Sequence, residues 1–180
     1  MKRLIKRILR EHKEFKNKLF NLLNSGQDEN IDMVKYLSEG QGYDLRDILI
    51  EYFQEYGPPY FNIFNILELT EEEQEFILSK IYGNISIVKT GLRAYIYDDN
   101  DNEIYEEYSD GFWLKLEYDD KGNKVYEERS NGYWEIQKYD DKGREIYFEH
   151  SDGYWRKREW GYNGYRIYYE NSNGDIDDRR

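Results

Sequence analysis

The sequence predicts an α+β protein: an N-terminal helical part over residues 1–83, then an antiparallel β-meander of 21-residue hairpin repeats over 84–180. Three observations carry this. Before residue 83, apolar residues recur at helical spacing between charged ones. After Gly83, alternating Ile, Val and Tyr broken by Gly replace that pattern. From Tyr97 onward the chain aligns on itself at a constant period.

In the helical part, Leu4, Ile5, Ile8, Leu9, Phe15, Leu19, Phe20, Leu22 and Leu23 mark one helical face, and Asn24-Ser25-Gly26 ends it. A short helix is expected around Ile31–Ser38. Asp44 is placed to cap a helix over Leu45–Tyr56, because its carboxylate can accept from first-turn N–H groups that lack intrahelical partners. Gly57-Pro58-Pro59 stops that helix. Thr70 and Glu73 form a capping box for a helix to about Tyr82, and the acidic first turn suits the helix dipole.

The stretches "NISIVKTG" and "LRAYIYDD" read as strands. The repeat units are 97–117, 118–138, 139–159 and 160–180. Tyr105, Tyr126, Tyr147 and Tyr168 are equivalent, as are Ser109, Ser130, Ser151 and Ser172, and Gly111, Gly132, Gly153 and Gly174. Asp-Gly or Asn-Gly between β-forming arms signals a hairpin, and a two-residue type I′ turn is the expected form. That turn sets Ser151 opposite Tyr154, Glu149 opposite Arg156 and Tyr147 opposite Arg158. "YDDKGNKV" and "YDDKGREI" place Gly four residues past the tyrosine, which fits a type I turn followed by a glycine bulge. Each unit then supplies two strands, and about ten strands are expected in all. This register gives one side a tyrosine and a glutamate ladder. The other side receives an Ile/Val row (Ile104, Val125, Ile146, Ile167) and a Trp row (Trp113, Trp134, Trp155), and is the better candidate for burial under the helices. The last unit lacks the Phe/Tyr-Trp pair and ends in charge, as an exposed sheet edge requires.

Composition narrows the function. The chain carries 26 Lys/Arg against 38 Asp/Glu, a formal net charge of -12, which argues against general nucleic-acid affinity and suits a partner with a basic surface. Residues 1–23 reverse that sign, with eight Lys/Arg and two Asp/Glu. Aromatic residues are 18% of the chain and provide the buried area that a low apolar content does not. Cysteine is absent, so disulfides and thiolate chemistry are excluded. No apolar run matches a signal peptide or a bilayer span, and a soluble intracellular protein is expected.

No residue set points to catalysis. His12 and His150 have no metal-ligand spacing. The Asp98-Asp99-Asn100-Asp101, Asp119-Asp120 and Asp140-Asp141 clusters read first as turn residues and only then as weak cation ligands. Glu107, Glu128, Glu149 and Glu170 recur once per unit, which marks a structural column and not a single active site. No phosphate-binding or dinucleotide motif is present, and no cofactor is expected. The basic helix from Lys2 to Lys18 reads as a packed helix with a solvated cationic face; membrane-surface binding and RNA contact are its other readings.

The segments "YDDKGNKVYEERSNGYW" and "YDDKGREIYFEHSDGYW" resemble the tyrosine-rich hairpin repeats described as YD-type or MORN-like, over about residues 97–174. The MORN glycine pattern is not matched in detail, so lipid association does not carry over. Such repeats occur in accessory proteins of phages and mobile elements, and "MKRLIKRILRE" is similar to the start of many small phage proteins. The resemblance implies a phage-encoded protein; beyond it, the lack of a catalytic set, the acidic sheet and the aromatic surface lead to the expectation of a non-enzymatic protein of the host bacterial cytoplasm that inhibits a nucleic-acid-handling defence complex as anti-CRISPR proteins do. Its partner would be a host protein or ribonucleoprotein with a basic surface, with no membrane role. Expected anchors are Trp113, Trp134, Trp155, Tyr133 and Tyr154, with Asp119, Asp120, Asp140 and Asp141 as steering charges. A homodimer through the Trp face or an edge strand, a structural or carbohydrate-binding role, and an enzyme are the alternatives.

Overall fold

A computed structural model describes residues 14–25, 27–58 and 60–180; the Met1–Lys13 part of the expected basic helix lies outside them. The chain divides into two compact units, Met1–Ser86 and Ile87–Arg180.

In the first unit, helix α1 covers 14–24. It is followed by α2 (Asp28–Gly40), α3 (Leu45–Tyr56), α4 (Phe61–Ile66) and α5 (Glu71–Tyr82). Leu19, Leu23, Ile31, Val34, Leu49, Phe53, Phe64 and Leu78 are fully enclosed. Each such side chain contributes roughly 1.5–3 kcal/mol of transfer free energy. The caps form as their residue types dictate. Asp44 accepts from the Arg46 N–H at 2.9 Å. The Glu73 N–H donates to Thr70 Oγ1 at 3.3 Å, while the Thr70 N–H donates to Glu73 Oε2 at 2.9 Å. Two differences stand out. Helix α2 begins three residues before the expected start, and α4 has no counterpart in the sequence signals. Tyr60 gives α4 no side-chain cap, so this one-and-a-half-turn helix is held by burial of Phe61, Ile63 and Phe64.

From Ile85 onward the chain forms the expected meander. Its strands are β1 (Ile85–Thr90), β2 (Arg93–Asp98), β3 (Glu103–Tyr108), β4 (Trp113–Tyr118), β5 (Lys124–Arg129), β6 (Trp134–Tyr139), β7 (Glu145–His150), β8 (Trp155–Trp160), β9 (Arg166–Asn171) and β10 (Ile176–Asp178). They form one sheet in sequence order, antiparallel from β2 to β10. The terminal strand is short and charged, which blunts that edge.

The expected type I′ turn does not form. The Gly153 N–H donates to the His150 carbonyl and the His150 N–H to the Tyr154 carbonyl, both at 3.0 Å. The loop therefore has three residues, Ser151, Asp152 and Gly153. Only Gly153 has positive φ, at 90°. This is a type I turn with a glycine bulge, the same form as Asp140–Arg144. A type I′ turn would force Asp152 into the left-handed region, where its Cβ meets the carbonyl at a cost of about 1–2 kcal/mol. The longer loop leaves that conformation to glycine alone. It also lets Asp152 Oδ1 accept from the Tyr154 N–H at 2.9 Å.

One added loop residue shifts the whole register. Glu149 lies opposite Trp155, Phe148 opposite Arg156 and Tyr147 opposite Lys157. The Trp row therefore shares a face with the tyrosines and glutamates, contrary to the sequence expectation, because a one-residue slip moves every side chain to the other side. The Ile/Val row moves too. Lys138 pairs with Tyr147 but Tyr139 pairs with Glu145, so Ile146 is the extra residue of a β-bulge. Ile104, Val125 and Ile167 occupy the same bulge in the other units.

Candidate protein-binding sheet faces

On the first face, the column tyrosine donates to the glutamate two residues on in three of the four units: Tyr105 to Glu107 and Tyr147 to Glu149 at 2.7 Å, and Tyr168 to Glu170 at 3.1 Å. The bond to Glu149 and then burial raise the Tyr147 hydroxyl above its usual range, so the phenol stays a donor. Trp113, Trp134 and Trp155 stand opposite Glu107, Glu128 and Glu149. Burial falls along the sheet. Tyr105 and Glu107 are enclosed, at 0% and 3% exposure. Their equivalents Tyr126, Glu128, Tyr147 and Glu149 are half-buried.

The same face carries two shallow troughs offset by one repeat. Glu117, Val125, Tyr126, Ile136 and Lys138 line the first, of about 660 Å³. Lys138, Ile146, Tyr147, Lys157 and Glu159 line the second, of about 570 Å³. Lys138 belongs to both. Val125 and Ile146, the bulge residues, line these troughs beside Tyr126 and Tyr147.

The opposite face is a charged network. Glu127 lies directly across from Glu135, a repulsive pairing. Lys124 Nζ bridges them, 2.5 Å from Glu127 and 2.6 Å from Glu135. Burial pushes the Glu135 carboxyl up, but hydrogen bonds from Lys124 and Tyr133 more than offset it and hold it below its usual range. Further along, Arg156 makes two 2.8 Å bonds to Glu145 while its guanidinium lies 4.0 Å from the Phe148 ring centre.

The turns at one end of the sheet divide the labour of the paired aspartates. Asp140 Oδ1 accepts from the N–H groups of Lys142 and Arg144, and Oδ2 from Arg144 Nε at 2.7 Å. These bonds, led by the Arg144 side chain, lower its carboxyl to about 2. Asp119 holds its own turn the same way, with Lys121 and Asn123. Asp120 and Asp141, the second members, are exposed. The turn serines join neighbouring hairpins through their backbone. The N–H groups of Ser130, Ser151 and Ser172 donate to the carbonyls of Trp113, Trp134 and Trp155 at 2.9–3.0 Å, tying each hairpin to the one before.

The expected anchors are therefore not one cluster. Trp113, Trp134 and Trp155 lie on the first face. Tyr133 lies on the second, where its hydroxyl donates to Glu135 at 2.8 Å, and Tyr154 joins Phe148 and His150 there. Asp119 and Asp140 are engaged within their turns, while Asp120 and Asp141 face solvent at the sheet end. The structure adds two exposed rings that sequence reasoning missed, Tyr162 at 99% and Tyr165 at 74% exposure. Their signal was the departure of the fourth unit from Tyr-Asp-Asp to Trp160-Gly161-Tyr162. Among the described residues, no group of three or more His, Asp or Glu is placed to hold a metal ion, and no helix is long and apolar enough to cross a membrane.

No protein-family model matches the chain, and no curated protein matches it significantly.

Proposed function

We propose that the protein works by adhesion without catalysis, as a phage-encoded inhibitor that binds a host nucleic-acid-handling defence complex in the manner of anti-CRISPR proteins. The observation that carries the adhesive half is the first sheet face. It aligns Trp134 and Trp155 with a glutamate column, half-buried and in register, on a unit with 15 Lys/Arg against 23 Asp/Glu. Rings of this kind supply contact area at low entropic cost, and the surplus carboxylates select and steer a basic partner. Asp120 and Asp141 at the turn end extend that field. The phage attribution rests on the resemblance of the repeats and of the opening segment to phage accessory proteins; the inhibitor role goes beyond that resemblance and rests on the fit of an acidic, aromatic sheet to a basic nucleic-acid-handling partner.

The test is capture from a bacterial lysate with the tagged protein, followed by mass spectrometry and a binding titration. A stoichiometric nuclease or defence complex is expected, with affinity falling about tenfold or more for Trp134→Ala, as anchor truncations of about 1.4 kcal/mol or greater do. Unchanged affinity removes the Trp row from the contact. Glycan binding with no protein partner favours a carbohydrate-binding module instead.

A further inference from the structure

We propose that the first sheet face receives an extended, polyproline-like segment of the partner, running across the strands with basic, acidic and basic residues at every third position. This rests on the adhesion reading above and names the chemistry of the bound segment.

The two troughs are the starting observation. They use equivalent positions of consecutive units, Val125 and Ile146, Tyr126 and Tyr147, Ile136 and Lys157, and they share Lys138 as a common wall. A ligand lying along both therefore meets the same surface twice. Adjacent strands are about 4.8 Å apart, so the surface repeats every ~9.6 Å. A polyproline II chain repeats every three residues, ~9.3 Å, and keeps step over both troughs. A β-strand presents one side every second residue, ~6.7 Å, and does not. An α-helix returns a side chain to one face after seven residues, ~10.5 Å, and slips by nearly 1 Å per unit. Polyproline segments also enter ring-lined grooves at low ordering cost, because they are extended before they bind.

Charge sets the register. Glu117, Lys138 and Glu159 occupy the same position in three successive units and alternate in sign. Their intramolecular contacts are peripheral. Lys115 lies 3.0 Å from Glu117 and Arg180 3.0 Å from Glu159, both carboxylates being about half-exposed, and Lys138 Nζ sits 5.3 Å from the Tyr147 ring centre. Exposed pairs of this kind contribute little and exchange readily for a ligand's charge. The complementary segment carries Lys or Arg, then Asp or Glu, then Lys or Arg, three residues apart each time with two residues between.

The experiment compares two labelled peptides by fluorescence anisotropy at low salt, Lys-Pro-Pro-Glu-Pro-Pro-Lys and its inverse Glu-Pro-Pro-Lys-Pro-Pro-Glu. The protein is expected to prefer the first by about tenfold. The triple variant Glu117→Lys, Lys138→Glu, Glu159→Lys is expected to prefer the second. That variant remains strongly acidic, so a reversal cannot come from net charge. All three substitutions are at exposed or half-exposed sites, and circular dichroism verifies the fold; Lys138→Glu alone, which leaves two of the three pairs matched and is expected to narrow the preference to about twofold without reversing it, serves if the triple variant does not fold, an unchanged preference overturning the inference. Equal affinity for both peptides, no binding of either, or a preference untouched by the charge swap overturns the inference. Capture that depends on Trp134 while neither peptide binds refutes the extended segment alone and leaves the adhesion reading standing.

Discussion

The Ser151 N–H donates to the Trp134 carbonyl at 2.9 Å across 17 residues of sequence. The turn serine of each hairpin thus fastens it to its predecessor, and the repeat is propagated by backbone as well as by side chains.

Proline at Ser151 isolates that bond. Position 151 is the second residue of a type I turn, where proline's fixed φ is favoured. Were the N–H idle, Ser151→Pro would be neutral or slightly stabilising through the unfolded chain. Loss of the bond, with an unsatisfied Trp134 carbonyl, predicts a net destabilisation of about 1–3 kcal/mol. Urea denaturation followed by tryptophan fluorescence measures it.

Gly153→Ala tests the turn geometry. Gly153 has φ of 90° and nothing within 4 Å of an added Cβ, so the penalty is conformational and not steric. A loss of about 1–2 kcal/mol is expected. Gly153→Asn should lose less, because Asn tolerates the left-handed region. Equal losses for the two would show that the φ constraint is not what fixes this position.

Lys124→Met removes the cation between Glu127 and Glu135. At neutral pH a loss of about 1.5–3 kcal/mol is expected, the range for hydrogen bonds to charged groups. The Glu135 carboxyl is lowered in the folded state, so its stabilisation is present above the unfolded value near ~4.3 and fades as pH falls through the folded value. The gap between variant and parent is therefore largest at pH 7 and narrows below about pH 4. A gap that widens on acidification would contradict the bridge. Denaturation midpoints across this range decide it.

Asp140 gives a second pH test. With its carboxyl lowered to about 2, the turn bonds hold above the unfolded value of about 3.9 and are lost as pH falls through about 2. The Arg144 amide proton should shift over that window, below the usual carboxylate range. In Asp140→Asn the shift should vanish. A titration near pH 4 would mean that Arg144 does not grip the carboxylate.

Much of this fold is written locally. The period, the ten strands, the caps at Asp44 and Thr70, and the glycine positions follow from residue types whose preferences act within four or five residues. The sequence also placed Glu117, Lys138 and Glu159 at equal spacing, although their use depends on what lies beside them. Helix α4 was hidden because Phe61, Ile63 and Phe64 hold it by burial, which has no short-range signature.

The sequence by itself determined that Ser-Asp-Gly is a bend and that Tyr and Glu recur in columns. It left open whether the bend holds two residues or three, since Asp-Gly fits both. Only strand pairing decided that: His150 meets Tyr154, so Trp155 falls beside Glu149 and Ile146 bulges toward Tyr147. The physical reason is the two-residue period of a strand, which makes a single residue of loop length choose the face on which every ring and charge stands.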